Sequence, residues 1–600
     1  MTNIMKFTNK LKSTLSTKTR YYLIVLYFAL IFSALLEMIS LGSVPIFVSI
    51  LIDPQGTKEF FGINIANIFN YFDSEKNITE LFAFFIVIIF TFKAIFIFCT
   101  TLFELKISKD IKLHFSENLL KSYIFKPYIF FVNKNSAELS RNLVVEVNNA
   151  AGFLHSIINL SREIALMLII FSLLIFFDPL ITIGALTLLT LFSIIFYSGT
   201  NNFIKRNAVS RLESIGEVYK SLFQSFGAIK DLKVYKKENY FLNRFKKYIK
   251  IHEKNILSRE LIVKSPKIIF ELTGVLLIIL VTFIFIYLHQ DVSKLLPALS
   301  LIAVCTIRLM PSFSSISSSL TYIRSWKNSF DLVEEEISKF KNNNYDNLQT
   351  RKNLNSPSKA IEIKDLTFSY PDKKSGISVK NISLDIKKGE MVGIIGKSGA
   401  GKSTIANIIL SLLAPSNGEI KVYNSTNEKT NDEKNLISYI PQDIFLMDDT
   451  LRRNVAFGEY DKDIDDKKIM SSLRDADLID FIKNQPKGLD LIIGERGIKL
   501  SGGERQRLGI ARALYRSPEI LIMDEATSSL DNHTERQVMS SIKKLKKKHT
   551  IIMIAHRLST IENCDRVYLI ENGEIKDSGQ LKELKQKHPY LSSYNVNEKI

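Results

Sequence analysis

Cysteine is scarce: Cys99, Cys305 and Cys564 are the only three in 600 residues, odd in number and widely scattered. That distribution excludes a disulfide framework and a cysteine zinc site, and leaves the three as small apolar residues. Tryptophan occurs once, at Trp326, where an amphipathic ring fits the inner membrane interface or the cytoplasmic continuation of a helix. Acidic residues fall short of basic ones, 61 against 79, for a formal net charge of +18. Nucleic acid is one outlet for such an excess. The long apolar runs give a simpler one, cytoplasmic Lys/Arg and attraction to anionic lipid headgroups, so no nucleic-acid partner is expected.

The chain exceeds one hydrophobic core, and its apolar content is uneven. Runs at Tyr22 to Ile52, Leu81 to Phe103, Ile157 to Phe177, Leu180 to Phe203, Ile268 to Leu288 and Leu295 to Met310 are long enough, or nearly so, to cross hydrocarbon as six helices. Met1 to Arg20 is basic and polar, and the apolar stretch after it is too long for a cleaved signal peptide. The third and fourth runs meet at Asp178-Pro179, whereas Lys106 to Ala150 and Lys205 to Lys267 are long polar arms. The second arm carries Lys205, Arg206, Arg211, Lys220, Lys230, Lys233, Lys236 and Lys237, against only Lys58, Lys76 and Lys294 on the opposite side. Both termini and both arms are therefore expected in the cytoplasm. The loop Lys58 to Phe72, with Phe60, Phe61, Ile63, Ile65, Ile68, Phe69 and Phe72, reads either as an interfacial segment or as a helix packed on the spans.

Ionisable residues inside the runs are the hints about cargo. Glu37 lies midway along the first, Lys93 midway along the second and Arg308 near the inner end of the sixth. A charge in lipid costs several kcal/mol, so each needs a wet cavity or a partner; a structural Glu37–Lys93 pair is the plainer alternative. Ser312, Ser315, Ser319 and Tyr322 follow Arg308 at helical spacing. They form one polar stripe that either lines a pathway or permits close helix packing.

Residues 1–340 thus read as a membrane domain, 341–359 as an Asn-rich linker with Pro357, and 360–600 as a soluble α/β domain. In the last, Gly396-Lys397-Ser398-Gly399-Ala400-Gly401-Lys402-Ser403-Thr404 has the GxxxxGK[ST] pattern between the apolar strand Met391 to Ile395 and a helix expected over Thr404 to Leu413. Successive backbone N–H groups and a helix start there converge on phosphate. Lys402 suits the β and γ oxygens, Ser403 suits Mg²⁺, and ATP is the implied ligand. Further elements follow in order: Tyr370 for a nucleobase stack, Gln442 after a strand for Mg²⁺ or the attacking water, and Leu500-Ser501-Gly502-Gly503-Glu504 opening a basic helix. Next comes the strand Ile520 to Met523 ending in Asp524-Glu525, and last His556 after the strand Thr550 to Ala555. Asp524 fits the metal's water shell, Glu525 the attacking water and His556 the γ-phosphate.

With these motifs in place, the chain resembles a half-size ABC transporter of the exporter type over essentially its full length. Gly396 to Thr404 matches Walker A, Gln442 the Q-loop, Leu500 to Glu504 the signature, Ile520 to Glu525 Walker B, Ser528 to Asp531 the D-loop and His556 the switch histidine. The family commonly ends the signature in Gln; Glu504 adds a negative charge near the nucleotide but keeps Ser501, Gly502 and Gly503. The resemblance implies ATP sandwiched between Lys402 of one copy and Ser501 of another, hence a homodimer, with Asp531 also at the shared site. It also implies an integral protein of the bacterial inner membrane, with turns near Tyr128 to Asn135 and Tyr235 to Tyr240 acting as coupling helices.

Within that family the first half is most similar to flippases of polyprenyl-pyrophosphate-linked oligosaccharides, through Leu36 to Gly42 with Pro45, Lys126 to Leu139, and Arg308 to Ser312. The expected cargo is such an amphipathic lipid-linked molecule, its pyrophosphate met by Lys93 and Arg308 near Glu37. A general lipid or drug exporter uses the same engine. A peptide exporter with its own protease is disfavoured because no domain precedes the first span, and a nucleotide-gated, non-pumping protein because Asp524, Glu525 and His556 form a hydrolytic set.

Overall fold

The computed structural model describes residues 10–11, 14–52, 59–60, 63–64, 75–177, 179–287, 292–342, 352–356, 358–370, 378–424, 436–525, 532–546, 548–555 and 557–591. The chain divides into two compact units, Met1–Lys126 with Asn133–Asn344, and Pro127–Val132 with Tyr345–Ile600.

The first unit is built from long helices: α1 (Thr17–Ile52), α2 (Glu75–Ile124), then, past the short α3 (Tyr128–Asn133), which belongs to the second unit up to Val132, the short α4 (Ser136–Arg141), α5 (Val147–Phe177), α6 (Pro179–Gly227), α7 (Ile229–Tyr235), α8 (Glu238–Tyr287) and α9 (Val292–Asn342). The described part of each apolar run lies in one of the long helices, which continue into the polar arms; the first arm is interrupted at Phe125 to Pro127 and at Lys134-Asn135, and the second at Ala228 and at Lys236, whose backbone is left-handed at φ +51°. Among the described residues three stretches are long and apolar enough to cross a membrane, Thr17–Leu51, Thr79–Ile124 and Ser136–Ile175. Much of the fourth, fifth and sixth runs falls outside the described side chains. Of the expected interfacial loop, β1 (Glu59–Phe60) and β2 (Ile63–Asn64) pair antiparallel; the rest of that segment, like Asp178, lies outside the described residues.

The arms are tied by local signals. Asn135 caps α4, its side chain accepting from the Ala137 N–H at 2.9 Å. A π-helical turn, Asn142–Glu146, then runs into α5 and buries Glu146, which accepts from the Ser329 hydroxyl at 2.6 Å and lies 3.7 Å from the buried Arg211. Nearby, Phe153 stacks on Phe330 at 4.8 Å. Closer to the apolar ends, Leu41, Leu166, Ile170, Phe171, Cys305, Leu309 and Phe313 form a separate buried cluster, so Cys305 serves as a small apolar residue.

The second unit contains two sheets. One has the strand order β12-β11-β6-β10-β9-β8, formed by β6 (Met391–Gly396), β8 (Ile437–Ile440), β9 (Ile520–Asp524), β10 (Thr550–Ile554), β11 (Arg566–Glu571) and β12 (Glu574–Gly579). All its pairings are parallel except the β11–β12 hairpin. The other has the order β3-β7-β4-β5, from β3 (Lys352–Asn355), β4 (Lys359–Phe368), β5 (Val379–Lys387) and β7 (Asn417–Asn424). The central strands Met391–Gly396, Ile520–Asp524 and Thr550–Ile554 are buried at every position, as apolar runs covered on both faces require. Helix α10 spans Lys402–Ile409, starting two residues before and ending four before the expected Thr404 to Leu413. The early stop has a cause: Ser411 takes φ +60°, and the Leu412 and Leu413 N–H groups turn back onto the Asn407 carbonyl at 2.8 and 3.2 Å.

Candidate nucleotide site and intramembrane charge cluster

Strand register brings the motifs to one edge. Ile554 stands opposite both Ile394 and Asp524, and Met523 opposite Ile440. Gly396, Gln442 and Asp524-Glu525 therefore leave three parallel strands on the carboxyl side, where open α/β sheets bind ligands. His556 follows β10 in sequence, but it and Ser528 to Asp531, including Asp531, lie outside the described residues.

Between β6 and α10 the phosphate loop requires glycine for two reasons. A Cβ on Gly396 would collide with the Ile570 carbonyl oxygen, and one on Gly401, at φ +104°, would sit 2.8 Å from the Ser378 carbonyl oxygen. Lys397, Ser398 and Gly399 are exposed and Ala400 is buried, leaving an open backbone cradle beneath which Lys402 is buried. The Lys402 ammonium donates to the Gly396 and Lys397 carbonyls at 2.7 and 3.1 Å. Burial lowers its pKa, opposed by the negative charges of Glu525 and Asp524. Tyr370 stays beside this helix, its hydroxyl 3.5 Å from Thr404 Oγ1 and its ring edge-on to Phe368 at 5.0 Å.

Asp524 ends β9 as a buried carboxylate. Burial, and then the neighbouring Glu525 charge, hold it above the usual carboxylate value, against hydrogen bonds from Tyr439 and Ser403 and the charge of Lys402. One carboxylate beside one hydroxyl fits a magnesium ion that brings phosphate oxygens and water as its remaining ligands. Among the described residues no group of three or more His, Cys, Asp or Glu makes a self-sufficient metal cage. Glu525 has a left-handed backbone, φ +48°, a sparsely populated conformation for a residue with a side chain. Its N–H donates to the Ile554 carbonyl at 2.9 Å, and its carboxylate accepts from Gln442 Nε2 at 2.7 Å. Gln442 thus faces Glu525 directly.

The signature opens α11 (Gly502–Tyr515). Ser501 and Glu504 form a reciprocal capping box: Ser501 Oγ accepts from the Glu504 N–H at 3.3 Å, and Glu504 Oε2 accepts from the Ser501 N–H at 2.7 Å. Gly509, farther along, lies so close to Ile444 that a Cβ would collide with it.

In the first unit, buried Glu37 is shared by two cations. Lys93 Nζ lies 3.4 Å and Arg308 Nε 2.8 Å from the same Oε1, the latter an ion pair without hydrogen-bond alignment. Lys93 also donates to Ser40 Oγ at 3.0 Å. The pair weighed as Glu37–Lys93 in the sequence is therefore a triad with Arg308. The polar stripe is turned to packing: Ser315 and Ser319 each accept from Asn159 Nδ2 at 2.9 Å, and Tyr322 stacks on Trp326 at 4.5 Å. Tyr439, whose hydroxyl lies 3.4 Å from Asp524 Oδ2, is the site residue that motif spacing passed over. Its signal was its place on the strand leading to Gln442.

The family profile described as ABC transporter matches residues 379–528, and that of the ABC transporter transmembrane region matches residues 40–310. The chain is 42% identical over 226 residues to the ATP-dependent lipid A-core flippase of Pasteurella multocida, covering 37% of this chain and 38% of that protein. It is 28% identical over 507 residues to the protein of the same name from Coxiella burnetii, 84% of each chain. The Pasteurella match thus spans about two fifths of that relative's length. A solved bacterial Atm1-family ABC exporter with ATP bound shares the fold, with a TM-score of 0.74 at 21% identity over 96% of this chain and 99% of that one. With both family regions on one chain and the exporter fold along almost all of it, the chain belongs to the ABC transporters, as a half-size exporter that joins one transmembrane domain to one ABC ATPase domain.

Proposed function

We propose that this chain works as a homodimer that hydrolyses ATP to flip an amphipathic, lipid-linked glycan from the inner to the outer leaflet of a bacterial inner membrane. Residues 1–340 would supply six spans, 341–359 the linker and 360–600 the cytoplasmic ATPase domain. The single observation that carries the ATP-driven part is the convergence of Lys402, Gln442, Asp524 and Glu525 at one sheet edge. One phosphate loop and one signature per chain support a site completed by Ser501, Gly502, Gly503, Glu504 and Asp531 of a second copy.

The residues divide the work by their chemistry. Lys402 exchanges two carbonyl acceptors for phosphate oxygens, and Tyr370 stacks on the base. Ser403, Gln442 and Asp524 would hold a magnesium ion, which when bound would supply positive charge to the phosphate oxygens. Glu525, released from Gln442, takes the proton of the attacking water, and His556 hydrogen-bonds the γ-phosphate. Closure of two ATPase domains then reshapes the spans.

For the cargo, support comes from relatives named lipid A-core flippases and from the Glu37, Lys93 and Arg308 cluster, which holds two cations against one carboxylate. The excess positive charge suits a phosphate-bearing headgroup. Proteoliposomes with a fluorescent polyprenyl-pyrophosphate-linked oligosaccharide or a labelled lipid A-core test this directly. ATP-dependent appearance of either label in the outer leaflet, weakened by Lys93→Ala and Arg308→Ala, is expected. Movement of only simple phospholipids or drugs, indifferent to both substitutions, identifies a general exporter instead.

A further inference from the structure

Tyr439 has no part in the reaction just described, yet it touches the group that the proposed function assigns to the metal. It lies on β8 opposite Ile522 of β9, so the two-residue alternation of a strand puts Asp524 on the same face as its register partner. Its hydroxyl lies 3.4 Å from Asp524 Oδ2, and Ser403 hydrogen-bonds the same carboxylate. Phenylalanine would fill this space equally well; the hydroxyl is the addition that packing does not explain.

The other end of Tyr439 leads elsewhere in the same unit. Its ring packs, half-buried, on the core cluster that also receives Ile129, and Tyr128 lies within electrostatic reach of its hydroxyl. Both belong to Pro127–Val132, which holds most of α3 and forms part of the second unit although it is more than 200 residues from the rest of it.

We propose that Tyr439 is a positioning residue. It fixes the Asp524 carboxylate for the metal-bound nucleotide, and it makes that fix depend on how the Pro127–Val132 segment is seated. The inference rests on the assignment of Asp524 to the metal. A hydroxyl that donates to one carboxylate oxygen selects one rotamer and leaves the other oxygen free. Ile129 and the Tyr439 ring pack against the same core cluster, so a shift of the segment, which the family resemblance implies is a coupling helix, is expected to reach the hydroxyl through that shared packing.

The test uses the full-length protein in nanodiscs and a fluorescent ATP analogue, titrated first with EDTA and then with rising Mg²⁺. Tyr439→Phe is expected to leave metal-free binding within about twofold and to raise the Mg²⁺ concentration for half-maximal enhancement about three- to tenfold, the range of one hydrogen bond. Ile129→Ala is expected to give a smaller shift of the same sign that adds little to Tyr439→Phe in the double variant. An unchanged Mg²⁺ dependence in Tyr439→Phe, with only a lowered melting temperature, makes the residue a core aromatic and overturns the proposal. Fully additive shifts overturn the link to Pro127–Val132. Wild-type protein whose nucleotide binding ignores Mg²⁺ refutes the assignment of Asp524 instead, which is a separate failure.

Discussion

At the sheet edge of the second unit the charges are held by partners they can exchange, while in the first unit they are held by each other. Lys402 rests on two backbone carbonyls, and Glu525 on one amide of Gln442. All three partners are neutral: a triphosphate outcompetes the carbonyls for Lys402 because its charge is larger, and at Glu525 the O–H of the attacking water can take the place of the Gln442 amide as donor. Glu37, in contrast, is buried between Lys93 and Arg308. In a medium of low dielectric an ion pair is released only if something equally charged replaces it. A charge is available to a ligand when its resting partners are weaker than the ligand, whatever its burial.

The sharpest test of the exchangeable side is Glu525→Gln. The substitution keeps a hydrogen-bonding side chain of the same size opposite Gln442 but removes the base. Hydrolysis is expected to fall by about 10²–10⁴, with binding of the nucleotide retained and the dimeric closed form accumulating. Phosphate release and nucleotide binding, measured on the same preparation, check it. Normal turnover would return the attacking-water role to another group, His556 first.

On the self-paired side, Glu37→Gln is expected to be the most destabilising change in the membrane region. It strands two cations at once, whereas Lys93→Met or Arg308→Met leaves Glu37 one partner. Breaking a buried pair costs about 3–5 kcal/mol, and the partial exposure of Arg308, 32%, puts the loss toward the lower end. Melting of detergent-solubilised variants, ranked against wild type, reads this order. If Lys93→Met or Arg308→Met proves worse than Glu37→Gln, the triad is not what stabilises the three helices.

How much of this could be read from the sequence differs between the same two regions. The phosphate loop, Gln442, Asp524 and Glu525 were legible because a phosphate site demands fixed residue types at fixed distances from strand ends, and the strands supplied those ends. The start of α10 was missed by two residues because the loop's last turn is already helical at Lys402. In the first unit Glu37, Lys93 and Arg308 were legible as charges out of place, but helix rotation decides which charges meet, and no spacing rule spans three separate helices. The triad and the diversion of Ser315 and Ser319 onto Asn159 needed the packing. Tyr439 was hidden for another reason: an aromatic in a buried strand is ordinary, and only the register with Asp524 gives its hydroxyl a purpose.

Glu504→Gln offers the finest distinction, because the two effects of one charge oppose each other. The Glu504 carboxylate accepts from the Ser501 N–H and sits at the start of α11, where a negative charge is stabilising by about 0.3–1 kcal/mol. Glutamine keeps an acceptor for the capping box, so the nucleotide-free protein is expected to lose no more than that, about 1–3 °C in melting temperature for a domain of this size. The same neutralisation removes repulsion toward any phosphate brought to Ser501, so the ATP concentration for half-maximal hydrolysis is expected to fall. Glu504→Ala separates the two contributions: it abolishes the reciprocal bond as well as the charge, and is expected to melt lower than Glu504→Gln while gaining a similar relief of repulsion. If only Glu504→Ala instead needs more ATP, the carboxylate acts through the cap it completes; if both variants need more ATP, the negative charge itself favours the nucleotide and the repulsion argument fails.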